Sequence, residues 1–162
     1  MKLAVTDANI FIDLIRIDCL HYLFELKIEL HTTTEVLNEL HSYQEEEVRK
    51  YHAKELLIIA HGAALEKSLS RNISKKLAEA DKSVIYYAKH LGAGILTGDY
   101  NLKKFIEKEI EVHGILWVVD QFVEQKLISE NHAHLSLSSL MKLNKRLPKK
   151  ECEKLLKKWK VP

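Results

Sequence analysis

The 162-residue sequence contains few cysteines and prolines, two of each, and only five glycines. Cys19 and Cys152 lie far apart and form no CxxC pattern, which argues against a disulfide framework and against a structural zinc site. No apolar run approaches the roughly 20 residues that a membrane-spanning helix needs. The short apolar start ends on the polar Asp7, unlike the apolar core of a signal peptide. The sequence therefore predicts a cytoplasmic protein with two reduced thiols.

Charge is distributed unevenly, although the net value is only +2. Residues 136–162 contain nine lysines and arginines against two glutamates, a local charge of +7, while the other residues contain 16 basic and 21 acidic side chains, or −5. A basic end on an acidic body suits a protein that binds phosphate groups, and a solvated lysine-rich helix surface explains it equally well. We predict a body over residues 1–135 and a basic helical extension over residues 136–162, packed on the same domain. Pro148 suits the first turn of its last helix, residues 149–160.

Two short apolar runs, residues 3–7 and 94–99, are the clearest predicted strands of the sequence. Each has the length of a buried parallel strand, and each stops on a threonine that an aspartate follows closely, Asp7 in one run and Asp99 in the other. The strongest helical periodicity covers residues 77–91, where Gly92 supplies a C-cap. Strands that alternate with helices indicate an α/β domain with a mainly parallel sheet.

The remaining elements follow from periodicity and capping residues. The spacing predicts a helix from residue 9 onward to residue 30, with a short strand over residues 27–31 near its end. Threonines 32–34 are N-cap candidates for the next helix. Residues 56–60 fit a strand and a buried helix turn equally well. Residues 68–76 form a polar stretch before the strongest helix.

Four acids stand out by their positions. Asp7 and Asp99 end strands, at the edge where α/β sheets bind ligands, and Asp81 lies on the core-facing stripe of a helix. Glu39 lies near the start of another helix, where Glu35, one turn away, is an alternative. Each also has a simpler explanation, since Asp7 could cap a helix, Asp99 could stabilise a turn and Asp81 could complement a helix dipole.

Oxygen ligands without accompanying cysteine favour the hard cations Mg²⁺ or Mn²⁺ over zinc. Such a site leaves positions open for water and phosphate oxygens, which suits the metal-assisted hydrolysis of a phosphodiester. Asp13 and Asp120, by contrast, are predicted to be ordinary surface or capping acids.

The segments around these acids follow one another in a recognisable order. They are Val5-Thr6-Asp7-Ala8-Asn9-Ile10-Phe11-Ile12-Asp13, Val36-Leu37-Asn38-Glu39-Leu40, Ala80-Asp81 at the head of an apolar helix, and Ile95-Leu96-Thr97-Gly98-Asp99. Together they resemble the ordered motifs of PIN-domain nucleases, over roughly residues 3–119. Many bacterial and archaeal members of that family are VapC-type toxins of toxin–antitoxin pairs.

The resemblance implies a Rossmann-like, three-layer α/β/α fold with a mainly parallel central sheet, and a catalytic domain over residues 1–135. It implies a Mg²⁺ or Mn²⁺ site and endoribonuclease activity on RNA, with a homodimer and an antitoxin protein as expected partners. Carried over by position, the catalytic and metal-binding residues would be Asp7, Glu39, Asp81 and Asp99. Asn9 and Thr97 match the polar positions that support them.

Two other functions fit parts of the pattern. A haloacid-dehalogenase-like phosphatase also uses strand-end aspartates and Mg²⁺, but it needs a second aspartate where this sequence has Asn9. The alternative from a different class is a non-catalytic PIN-like module that binds RNA or a protein through its basic C-terminal segment. Metal binding separates this module from the nuclease.

Overall fold

The protein is built around a parallel sheet, seen in a computed structural model that describes residues 1–61 and 77–159. Its strands are β1 Leu3–Thr6, β2 Glu29–Thr33, β3 Ile58–Ala60, β4 Gly94–Leu96 and β5 Val112–His113. They lie in the order β3-β2-β1-β4-β5, and every neighbouring pair is parallel. The predicted α/β class with a parallel sheet is confirmed, and the structure shows that residues 58–60 of the ambiguous run form a strand.

Helices flank this sheet in the described part of the chain. They are α1 Ala8–Arg16, α2 Leu20–Leu23, α3 Thr34–Asn38, α4 Ser42–Ala53, α5 Glu79–Leu91, α6 Tyr100–Ile106, α7 Ile115–Glu124, α8 Glu130–Leu143 and α9 Lys149–Lys158. The central strands are fully covered, because Val5 and Ile95 have no exposed surface. Parallel sheets are covered on both faces by helices in this way, which gives the Rossmann-like α/β/α architecture. None of the described helices is long and apolar enough to cross a membrane.

Strand order places a crevice between β1 and β4. The chain moves outward from β1 in one direction to β2 and β3, and in the other direction to β4 and β5, so the order reverses at this pair. Ligands of open α/β sheets bind at such a switch point, beyond the carboxyl ends of the strands. Thr6 is in register with Leu96, and the Asp7 amide donates to the Leu96 carbonyl at 2.9 Å. Asp7 therefore emerges directly beside the loop that leads to Asp99.

The helix predicted from residue 9 to residue 30 is wrong in length. Helix α1 ends at Arg16, and Asp18 adopts a left-handed backbone with φ of 53°. The Cys19 amide then donates back to the Leu14 carbonyl at 2.8 Å, which closes the helix. Apolar periodicity continues across this break because α2 presents its own apolar side to the core, and the pattern therefore conceals the turn.

The predicted helix caps at Thr33 and Gly92 are confirmed. Thr33 is the N-cap of α3, and its hydroxyl accepts from the Val36 amide at 3.2 Å. Gly92 ends α5 with φ of 64°, a conformation that glycine adopts without strain. Pro148 lies one position earlier than predicted, at the N-cap of α9. Residues 68–76 and Lys160 lie outside the described residues.

Two acids that were predicted to be ordinary surface or capping residues instead connect distant helices. Asp13, only 4% exposed, accepts from the Asn144 amide group at 2.9 Å and so links α1 to the end of α8. Asp120 accepts from the Lys158 ammonium at 2.8 Å and from the Trp159 indole N–H at 3.1 Å. Because Trp159 is fully buried, Asp120 fixes the end of α9 against α7.

Candidate active site

Asp7 occupies the centre of the crevice and is held by three hydrogen bonds. It is 1% exposed. Its Oδ1 accepts from the Ala8 amide at 2.7 Å, so it does cap α1. Its Oδ2 accepts from the Thr97 hydroxyl at 2.8 Å and from the Asn9 amide group at 3.3 Å. The helix cap accounts for the position of Oδ1. Oδ2 is oriented by Thr97, 90 positions away in the sequence, and a helix cap does not need this contact.

Thr97 joins the two strand ends. Its hydroxyl donates to Asp7 and accepts from the Asp99 amide at 3.0 Å. The adjoining Gly98 lies so close to Asn9 that an added Cβ would be 3.2 Å from the Asn9 Cβ. The loop after β4 is therefore packed tightly against the start of α1, and the two predicted supporting residues both contact Asp7.

Asp99 is the N-cap of α6 and is partly buried. Its Oδ1 accepts from the amides of Asn101 and Leu102, at 2.7 and 3.0 Å. No donor in residues 1–61 or 77–159 reaches its Oδ2. One oxygen thus fixes the side chain, and the other remains available for a ligand.

Asp81 lies in the first turn of α5, half-buried. Its pKa is raised to about 6 from an ordinary 3.8, mainly by burial and then by the negative charges of Asp7, Asp99 and Glu39. Its place in the first turn also satisfies the helix-dipole explanation. A dipole alone would lower the pKa of a carboxyl, so burial, together with repulsion from the other acids, outweighs the dipole here.

Glu39 follows the last residue of α3, so it lies at the end of a helix and not near the start of one as predicted. Its side chain is exposed. Even so, burial and then the charges of Asp7 and Asp99 raise its pKa. A hydrogen bond of 2.7 Å between the hydroxyls of Thr33 and Ser83 ties the start of α3 to α5, and Glu39 follows the first of these helices while Asp81 belongs to the second.

Burial is also the main cause of a raised pKa at Asp7. The hydrogen bonds from Thr97, Ala8 and Asn9 counteract this effect, and the charge of Asp99 adds to it. The four predicted site acids are thus coupled electrostatically through space. Such mutual repulsion is relieved by protonation or by a bound cation.

The donor set fits a hard cation. Carboxylate oxygens are the ligands of Mg²⁺ and Mn²⁺, and Mg²⁺ commonly keeps several waters while it uses only one or two carboxylates. Within the described ranges, no three histidine, cysteine, aspartate or glutamate side chains converge closely enough to chelate an ion as they stand. The residues that could hold a cation are Asp7, Glu39, Asp81 and Asp99. A hydrated ion would take only one or two of these carboxylates as direct ligands and keep water in its other positions.

A comparison with protein families agrees with the resemblance that the sequence motifs indicate. A family model described as a PIN domain matches residues 3–161. The chain belongs to the PIN-domain family. A search of curated proteins finds no match. The PIN-domain match extends well beyond residue 119, where the motif resemblance ends, so the basic C-terminal segment through Val161 belongs to the matched region. The PIN domain supports a nuclease-type hydrolase.

Substitution of Thr97 tests how much this PIN-domain site depends on the contact between its two strand ends. We expect Thr97→Val to lower the free energy of unfolding by about 1 kcal/mol, because Asp7 and the Asp99 amide each lose a partner. We expect nuclease activity to fall about ten-fold or more, as for other groups that orient a site carboxylate. Urea unfolding and RNA cleavage measure the two effects. Thr97→Ser keeps the hydroxyl and should restore both, and equal behaviour of the two variants would show that the hydroxyl is unimportant.

The sequence reasoning missed one residue at this edge, Tyr100. It directly follows Asp99 and is 71% exposed, more than any other large hydrophobic side chain in the described residues. The available signal was its place beside a strand-end aspartate, where an aromatic residue is not needed for the core.

Proposed function

We propose that this PIN-domain protein is a Mg²⁺- or Mn²⁺-dependent endoribonuclease that hydrolyses RNA phosphodiester bonds. The observation that carries the proposal is the electrostatic coupling of four acids from separate elements at the switch point of the sheet. Family membership supports nuclease chemistry at this place. The negative charges of these acids repel one another, and a divalent cation would neutralise them.

The proposed roles follow from what holds each side chain. Asp7 and Asp99 each use Oδ1 for a helix cap, so their Oδ2 atoms would be the oxygens offered to a cation. Oδ2 of Asp7 is also oriented by Thr97 and Asn9. Asp81 would contribute a further oxygen, and Glu39, the most exposed of the four, would hold metal or orient the attacking water. When bound, the cation supplies Lewis acidity that activates water and neutralises charge on the phosphate. Asn9 and Thr97 keep the Asp7 carboxylate in place.

The toxin role, the antitoxin partner and the homodimer stay predictions from the motif resemblance. The alternative function, a non-catalytic module, has one observation in its favour. Lys149, Lys150, Lys154 and Lys157 are exposed on α9, and none of them forms an ion pair within the described part of the chain. This surface could bind RNA phosphates without any cleavage.

RNA cleavage by the purified protein tests the proposal. A mixed pool of single-stranded and structured RNA is incubated with Mg²⁺, with Mn²⁺ or with EDTA, and a DNA pool of the same sequences is treated in parallel. The proposal requires cuts in RNA that need metal. Salt-dependent RNA binding without cleavage under either metal would favour the binding module.

A further inference from the structure

Tyr100 begins helix α6 directly after Asp99 and is exposed to solvent. The residue is 71% exposed, so its ring is not part of the core. The neighbouring residues on α6 are Asn101, whose amide binds Asp99, and Leu102, which is fully buried and anchors the helix. The ring therefore stands on a fixed support, one residue away from a proposed metal ligand.

Positive charge accompanies this ring. The Lys104 ammonium lies 6.0 Å from the ring centre of Tyr100, over its face. Lys103 is exposed as well, and neither lysine forms an ion pair with a described residue. An exposed aromatic ring with unpaired cations beside it is the combination that binds single-stranded nucleic acid, since bases stack on the ring and phosphates contact the cations.

We propose that Tyr100 and Lys104 form a nucleotide subsite, in which an unpaired RNA base stacks on the Tyr100 ring and Lys104 contacts a backbone phosphate. The inference rests on the proposed ribonuclease function and adds to it the two residues that contact an unpaired base and its phosphate. In a duplex the bases are paired and stacked on one another, so no base is free to stack on the Tyr100 ring. The subsite thus selects unpaired segments next to the acids that cut them.

Binding of a labelled single-stranded RNA in EDTA tests the subsite without cleavage. We expect Tyr100→Ala to weaken binding roughly ten-fold and Tyr100→Phe to bind like wild type, because stacking needs the ring and not the hydroxyl. The matched control is Phe105→Ala, which removes a 42% exposed aromatic ring from another side of the same helix and should leave binding unchanged. Lys104→Gln should reduce the slope of log affinity against log salt by about 0.7.

An RNA that lacks bases at consecutive positions makes the test specific. Wild type should lose affinity for this abasic RNA, and Tyr100→Ala should bind the intact and abasic RNAs equally, since both changes remove one interaction. Duplex RNA should show no dependence on Tyr100. Unchanged single-stranded RNA binding by Tyr100→Ala would overturn the subsite, even if metal-dependent cleavage is found. Tyr100-dependent binding without any cleavage would uphold the subsite and reject the nuclease, and no RNA binding by wild type would overturn both.

Discussion

Asp7→Asn is expected to reduce metal-dependent RNA cleavage by more than about a hundred-fold, since loss of a direct ligand should exceed the loss of a group that only orients one. Asparagine has nearly the same shape and can still accept from the Ala8 amide through Oδ1, so the cap of α1 persists. What changes is Oδ2, because an amide nitrogen in its place accepts no hydrogen bond from Thr97 or Asn9 and offers no oxygen to the proposed cation. The readout is the initial cleavage rate at saturating Mn²⁺.

The fold of this variant should remain intact. Burial raises the pKa of Asp7, so the charged form is disfavoured in the folded protein, and an uncharged side chain removes part of the repulsion with Asp99. Asp13→Asn is the matched control, because Asp13 is a buried acid on the helix that Asp7 caps, and its partners Asn144 and Arg16 lie outside the crevice. It should cut RNA like wild type. A wild-type rate for Asp7→Asn would remove Asp7 from the mechanism.

Divalent metal is expected to stabilise the wild-type fold, by about 2.7 kcal/mol at a hundred times its dissociation constant. A bound cation would neutralise acids that repel one another in its absence. Asp81→Asn should lose much of this gain because it removes one oxygen and one charge. In EDTA near neutral pH the same variant should be more stable than wild type by about 1 kcal/mol, a figure discounted for the partial exposure of Asp81.

The titration of Asp81 determines whether stability rises or falls with pH in the absence of metal. The pKa of Asp81 is raised to about 6 in the folded protein from an ordinary 3.8, so the folded state binds more protons than the unfolded state between these values. Without metal, this group therefore makes the protein less stable as pH rises through that interval, and the cost stays in full above it. Urea unfolding across this range, with EDTA or Mn²⁺, measures both effects.

A suitable control for these unfolding experiments is Glu46→Gln, which neutralises an exposed acid on α4 outside the crevice. It should keep the metal-induced stabilisation of wild type. If Mn²⁺ stabilises wild type and Asp81→Asn by the same amount, Asp81 does not hold the cation.

The acids at strand ends were predictable because the reasoning needs only local patterns and one topological rule. Buried parallel strands are continuous apolar runs, their carboxyl ends share an edge, and Asp7 and Asp99 each follow such a run. Strand order adds that β1 and β4 are neighbours, which no local pattern states. The contact of Thr97 with Asp7 follows from that adjacency.

Other features depend on partners far away in the chain and were out of reach. Asp13 looked like a surface acid because Asn144, its partner, lies 131 positions later. Asp120 depends in the same way on Lys158 and Trp159. The end of α1 was missed for a different reason, since the left-handed backbone at Asp18 interrupts the helix without interrupting the apolar pattern.

The central claim, that a crowded acidic site cuts RNA with a divalent cation, is tested most directly by RNA cleavage with wild type and Asp99→Asn side by side. Asparagine is as good an N-cap as aspartate, so α6 keeps its start while the charge is lost. With Mn²⁺ or Mg²⁺, wild type should produce defined cuts that EDTA abolishes and that Asp99→Asn fails to make. Equal cleavage by the two proteins, or cleavage that persists in EDTA, would contradict the account.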